Sequence, residues 1–199
     1  PLIAHVGEPP PLLDEVLPLL EKGDVITHAF NGKSGGNIME DPLTFALAKE
    51  AQSRGVVMDV GHGSASFSFE VARFAFEKGL VPDVISSDLH CHSFAGPVFD
   101  LPTTLSKLIA LGMSLEDVIE CVTIAPRRVL SESVNENWLV PGHHADFTVF
   151  TVESVDFQTL DSMGSELQIR KFILPQLAVL GANWKECKSR GLELLTTGN

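Results

Sequence analysis

The chain has 199 residues, 44% of them hydrophobic and 20% charged, with a formal net charge of −12 and a pI of about 4.9. This is the composition of a globular protein with one substantial core, or slightly more than one domain. An acidic surface repels phosphate backbones, which argues against nucleic acid as a partner. No apolar run approaches the roughly 18 to 20 residues needed to span a bilayer, which argues against a membrane. Three scattered cysteines, Cys91, Cys121 and Cys187, together with the lack of a basic-then-apolar leader, point to a reducing, cytoplasmic setting.

In chain order, short apolar runs alternate with capped amphipathic stretches. Leu2 to Val6 reads as a strand, and Leu12 to Lys22 as a helix stopped by Gly23. Val25 to Phe30 is the next strand; Asp41-Pro42 then supplies an N-cap and a first-turn proline for a helix that runs to Arg54 and stops at Gly55. Val56 to Val60 is a third strand, followed by a helix from Phe67 to Lys78 that Gly79 closes. Val84 to Ser87 is the fourth, and its helix runs from Leu101 to Leu111, ending at Gly112. Ser114 begins a capped helix with Asp117 in the third position, and Thr123 is expected to cap "IAPRRVL". The strands are nearly continuous apolar runs, as expected where both faces are covered, and the alternation predicts an α/β fold with a parallel sheet and right-handed crossovers.

Past Val140 the pattern changes. "HADFTVFTVESVDF" and "IRKFILPQLAVLGANWK" carry β-branched and aromatic residues with turn breakers between them, which predicts antiparallel strands in a small β-module. The expected division is 1–136 for the α/β part and 137–199 for the β-module and tail.

The polar residues fall at one end of the predicted sheet. His5 ends the first strand, His28 the second, His62 follows the third in "VVMDVGHG", and Asp88 ends the fourth in "VISSD". In parallel α/β folds the active site is built where the carboxyl ends of the strands converge. Neutral imidazoles suit zinc and its neighbours, and a carboxylate can balance charge and carry a proton. Adjacent strands lie about 5 Å apart, so two such histidines can share an ion. A single histidine at a strand end is usually a hydrogen-bonded loop residue; several in register favour the metal.

The stretches "AHVGEPPPLLDEVLPLLEKGDVITHAFNG", "VVMDVGHGSASFSFEVA" and "GPVFDLPTTLSKLIALGMSLEDVIECVTIAPRRVL" resemble the amidohydrolase superfamily, in particular its dihydroorotase-like amidohydrolase and deacetylase group. "PGHHADFTVF" is similar to the start of that group's flanking β-module. The resemblance implies a (β/α)8 TIM-type barrel with a small β-sandwich, and a site with one or two divalent ions, zinc first among them. It implies His5 and His28 as the metal ligands of strands five and six, and Asp88 as the strand-eight metal ligand and general base, then acid. His62 is implied to face the substrate, with Asn31, Gly32 and His90 on the same rim. Nothing before His5 supplies the family's strand-one His-x-His or its bridging lysine. The expectation is therefore the C-terminal half of a barrel, about four βα units with part of the sandwich, inactive alone. His90 and His92 in "DLHCH" could be mistaken for the missing pair, but they follow "THAFNG" and precede "GPVFDLPTT", the order found after strand eight.

The implied reaction is hydrolysis of an amide or ester in a small molecule: an N-acyl amino acid, an O-acetylated hydroxy acid or a cyclic amide. The nucleophile is a metal-activated hydroxide and the proton carrier is Asp88. Open strand edges on a half-barrel would favour association, a homo-oligomer included. The alternative is a non-catalytic barrel kept as a scaffold or interaction subunit. A phosphate- or sugar-binding barrel is disfavoured by the lack of a glycine-rich cradle.

Overall fold

The computed structural model describes residues 1–8, 10–132 and 140–197. Its first part is a parallel sheet in the order β1 (Ile3–His5), β2 (Val25–Thr27), β3 (Val57–Met58), in register Ile3 to Val25 and Val25 to Val57. The fourth predicted strand is reduced to one parallel bridge, Asp59 to Val84. It still lies beside β3 in the expected direction, because Val60 N, His62 N and Gly63 N donate to Val84 O, Ser86 O and Ser87 O.

The helices follow the sequence closely in four places and depart from it in two. α2 (Pro42–Arg54) begins at Asp41, whose carboxylate accepts from Leu43 N and Thr44 N, and ends at Gly55 in the left-handed conformation (φ 95°). α3 (Phe69–Glu77), α4 (Leu101–Ala110) and α5 (Leu115–Glu120) are likewise capped, by Ser68, Asp100 and Ser114. The helix expected from Leu12 to Lys22 is only α1 (Leu13–Val16) followed by a 3-10 turn, Leu17–Leu19. Pro18 has no N–H to donate into an α-helical ladder, so the chain tightens and stops there. Thr123 precedes α6 (Ile124–Val129) without capping it; its hydroxyl donates back to Ile119 O at 2.6 Å.

The later part is an antiparallel sheet of β4 (Asp146–Leu160), β5 (Glu166–Leu180) and β6 (Asn183–Glu186), followed by α7 (Arg190–Thr197). The β4–β5 register slips where Pro175, which cannot donate, lies opposite Phe150 and leaves Gln176 outside the pairing. The expected division at 136 and 137 lies outside the described residues. On either side of it one continuous apolar core forms: Leu167, Ile169, Phe172 and Ile173 of β5 join Ile26, Phe30, Met58, Phe67 and Leu108. Ile173 N donates to Ser106 Oγ at 3.0 Å, which fastens β5 to α4. The hairpin turn is fastened to α3 by buried Asp161, whose carboxylate accepts from Phe69 N, Met163 N and Ser165 N.

Coverage of the parallel sheet is uneven. Ile26 and Val60 are fully buried, whereas Ile3 is 65% exposed, because among the described residues nothing pairs with the outer edge of β1. The expectation that both faces of every strand are covered therefore fails at β1. No described helix is long and apolar enough to cross a membrane.

Candidate active site

His5 and His28 stand at the carboxyl ends of neighbouring strands, as the register His5 to Thr27 requires. Their rings meet edge to face with centroids 4.6 Å apart. His28 is buried and its Nδ1 donates to Gly61 O at 2.5 Å. A ring nitrogen that faces a carbonyl oxygen must carry the proton, which leaves Nε2 as a lone pair. Burial holds the His28 pKa below the ordinary histidine value, and the positive charge of a protonated His5 adds to that; the Gly61 carbonyl and the carboxylates of Asp88 and Asp59 pull the other way. His28 is thus set up as a neutral donor. His5 is exposed, and among the described residues its ring nitrogens have no hydrogen-bond partner.

Asp88 is exposed at the end of the fourth segment. Its carboxylate lies against Gly63 so closely that a Cβ on that glycine would sit 2.6 Å from Asp88 Oδ2. Both Asp88 (φ 46°) and His28 (φ 61°) adopt the left-handed backbone conformation that non-glycine residues avoid. Such a conformation costs about 1–3 kcal/mol and persists only where the surroundings impose it, commonly at working sites.

The donor set fits a borderline divalent ion in part. Two imidazoles in contact, one with its tautomer set, are what such an ion takes, and Asp88 is near enough to act on His28 electrostatically. Among the described residues, however, no group of three His, Cys, Asp or Glu side chains closes into a ligand set. A cavity of about 570 Å³ lies toward the amino ends of the strands, between Gln52, Val57, Asp83 and Cys121, and is lined by none of these residues.

Of the four residues expected on the substrate rim, His62 and Asn31 are buried, while Gly32 and His90 are half-buried. His62 is fully buried: Lys107 Nζ donates to its Nε2 at 3.0 Å, its Nδ1 donates to Gly63 O at 3.0 Å, and its ring packs on Phe67. Burial, reinforced by the Lys107 charge, pushes its pKa down to about 3. Asn31 spends its amide on the loop, donating to His28 O and Gly36 O and accepting from Lys33 N. Gly32 is roofed by Met163 and backed by Ser68, where an added Cβ would sit 2.8 Å from either side chain. His90 is half-buried; its ring accepts from His92 N at 3.3 Å, and its N–H is held by Ser93 Oγ.

Sequence reading missed two supports of the site. Asp59, buried under the sheet, accepts from Thr27 Oγ1 (2.6 Å), Ser86 Oγ (2.7 Å) and Ser86 N (3.0 Å). The signal was the aspartate inside the apolar run "VVMDV". Lys107 had a weaker one, a lysine on the apolar face of "TTLSKLIAL".

Short parallel strands joined by helices thus bring two imidazoles and a carboxylate, His5, His28 and Asp88, to their carboxyl ends. No protein-family model matches the chain. It is 50% identical over 182 residues to a deacetylase from Brucella anthropi, a match covering 92% of this chain and 45% of that protein. It superposes on the crystal structure of a dihydroorotase with a TM-score of 0.90 at 47% identity, covering 94% of this chain and 49% of the other. An adenine deaminase structure follows, with a TM-score of 0.83 at 36% identity and coverage of 94% and 51%. Over nearly all of its own length the chain is similar to deacetylases and to these amidohydrolase-superfamily structures. It spans about half the length of the relatives it matches.

Proposed function

We propose that this chain contributes part of a metal-dependent amidohydrolase that cleaves an amide or ester bond in a small molecule. The substrate classes in view are an N-acyl amino acid, an O-acetylated hydroxy acid and a cyclic amide. The observation that carries this reading is the His5–His28 ring pair at adjacent strand ends, with His28 Nδ1 committed to Gly61 O. The similarity to a deacetylase and to dihydroorotase and adenine deaminase structures supports it.

His5, His28 and Asp88 would hold a divalent ion, zinc before others. When bound, the ion supplies an acidified water and a polarised scissile carbonyl. His28 keeps its proton on Nδ1 and offers Nε2. Asp88 takes the proton of the attacking water and returns it to the leaving nitrogen or oxygen, acting as base and then acid. His62, with Asn31 and Gly32, backs the rim from within, and His90 stands in the loop beyond Asp88. In this reading residues 1–136 are the later βα units of a barrel and 137–199 part of its β-sandwich. The remaining ligands come from polypeptide beyond these residues, and the chain is inactive without them.

Zinc titration of the chain by calorimetry tests the reading, beside hydrolysis assays on the three substrate classes in polypeptide of the relatives' full length. Zinc uptake that disappears in His5→Ala and His28→Ala supports it. Uptake unchanged in both variants refutes it. The open ligand set gives weight to a second reading, a scaffold barrel without catalysis; that reading predicts neither zinc uptake nor turnover in either setting.

A further inference from the structure

Lys107 lies in the middle of α4 with no solvent exposure, and the proposed reaction makes no direct use of it. Its ammonium donates to Pro97 O at 2.6 Å, Leu160 O at 2.8 Å and His62 Nε2 at 3.0 Å. The nearest carboxylates are committed elsewhere. Asp100 accepts from Thr103 N and Gly191 N at the starts of α4 and α7, and Asp161 from the hairpin turn and Phe69 N. Burying a lysine with no carboxylate in contact is costly, so its three acceptors must return that cost in structure. Two are carbonyl oxygens, which any donor would satisfy. The imidazole is different.

A donor at Nε2 forces the His62 proton onto Nδ1, which then donates to Gly63 O. Ser162 Oγ donates to the same carbonyl at 3.0 Å and to His62 O at 3.3 Å. The turn Gly61–His62–Gly63 is thereby clamped from its buried side. On the other side it carries the site: Gly61 O receives His28 Nδ1, Gly63 backs the Asp88 carboxylate, and Gly63 N holds Ser87 O. Lys107 is 45 residues from His62 in sequence, yet it is the far anchor of both candidate working groups.

We propose that Lys107 is a positioning residue: by fixing the His62 tautomer it holds the Gly61–Gly63 turn beneath His28 and Asp88. The inference rests on the reading of His28 and Asp88 as the working groups, but its main test does not depend on catalysis or metal. That test is ¹⁵N spectroscopy of the histidine rings in the whole chain, which distinguishes a protonated from an unprotonated ring nitrogen. Wild type should show His62 neutral, with its proton on Nδ1. In Lys107→Met the second tautomer of His62 should appear and the His28 Nδ1 resonance should shift, whereas Lys107→Gln, which keeps an uncharged donor, should restore the wild-type pattern. Zinc affinity should fall roughly 10-fold in Lys107→Met and recover in Lys107→Gln. A wild-type His62 protonated on Nε2 overturns the proposal. So does a Lys107→Met spectrum identical to wild type at both rings. Should Lys107→Met not fold, the wild-type tautomer and the Lys107→Gln spectrum still decide. If the tautomer responds as stated while wild type takes up no zinc, the metal reading falls and the positioning role stands.

Discussion

Replacing Asp59 by alanine removes the acceptor of three hydrogen bonds that tie β2, β3 and the fourth segment together. Bonds to a charged acceptor contribute about 1.5–3 kcal/mol each, but these three share one side chain and do not add. Ser86 is exposed, so water can replace what its hydroxyl loses, while half-buried Thr27 recovers less. The expected loss is about 3–4 kcal/mol, a large share of the roughly 5–15 kcal/mol that holds a typical domain together. Asp59→Asn keeps the shape and one acceptor oxygen, so it should lose about half as much. Urea unfolding followed by circular dichroism and by tryptophan fluorescence measures both variants, with midpoints falling in the order wild type, Asn, Ala. The damage should also be local. The amides of His62 and Gly63, which donate to Ser86 O and Ser87 O, should exchange with deuterium faster in Asp59→Ala than those inside α2. Stability of Asp59→Ala within about 1 kcal/mol of wild type, with unchanged exchange at those two amides, would refute the claim that this carboxylate fastens the segment carrying Asp88.

Further outcomes follow from the same contacts. Gly63→Ala places a Cβ 2.6 Å from Asp88 Oδ2 on a left-handed backbone (φ 55°), so it should cost roughly 1 kcal/mol or more of stability and displace the carboxylate. In the assembled enzyme, turnover should drop about 100-fold or more, by the usual sensitivity of rate to a misplaced catalytic group; turnover near wild type would count against Asp88 as proton carrier. Asp88→Asn should abolish hydrolysis while leaving zinc bound through His5 and His28, as read by metal content beside the activity assay. His62 has a pKa near 3 in the fold against 6.5 unfolded, so the unfolded chain takes up the proton first. Its contribution is complete above about pH 6.5 and is lost progressively as pH falls toward 3. Lys107, lowered by burial from 10.5 to about 7, acts in the same direction at higher pH, with stability rising between those values. Urea midpoints across this range should show both slopes, and His62→Gln should flatten the acidic one. A midpoint that rises as pH drops from 6.5 to 4, in a protein otherwise behaving as wild type, would contradict the burial of a neutral ring.

The alternation of strands and helices was legible in the sequence because its signals are local. Asp41 and Ser114 accept from backbone N–H groups two or three residues on, in the first turns of the helices they cap, and Gly55 adopts a left-handed conformation where α2 ends. The placement of His5, His28 and Asp88 at strand ends needed only the order of apolar runs, since a parallel sheet delivers successive strand ends to one side. The length of the first helix was misread although Pro18 lay in view, since its apolar neighbours kept the helical period going beyond the break.

What the tertiary structure alone decided is the direction of the polar groups between those ends. His62 follows its strand just as His28 does, yet it is buried against Lys107, 45 residues on, whose ammonium is itself held by the Leu160 carbonyl, 53 residues beyond that lysine. Asp59 sits in an apolar run that reads as plain core, and its acceptors find partners 27 and 32 residues away. Periodicity states which face of a strand or helix is apolar. It carries no record of which distant donor will meet a buried acceptor, because those partners become neighbours only when the layers pack.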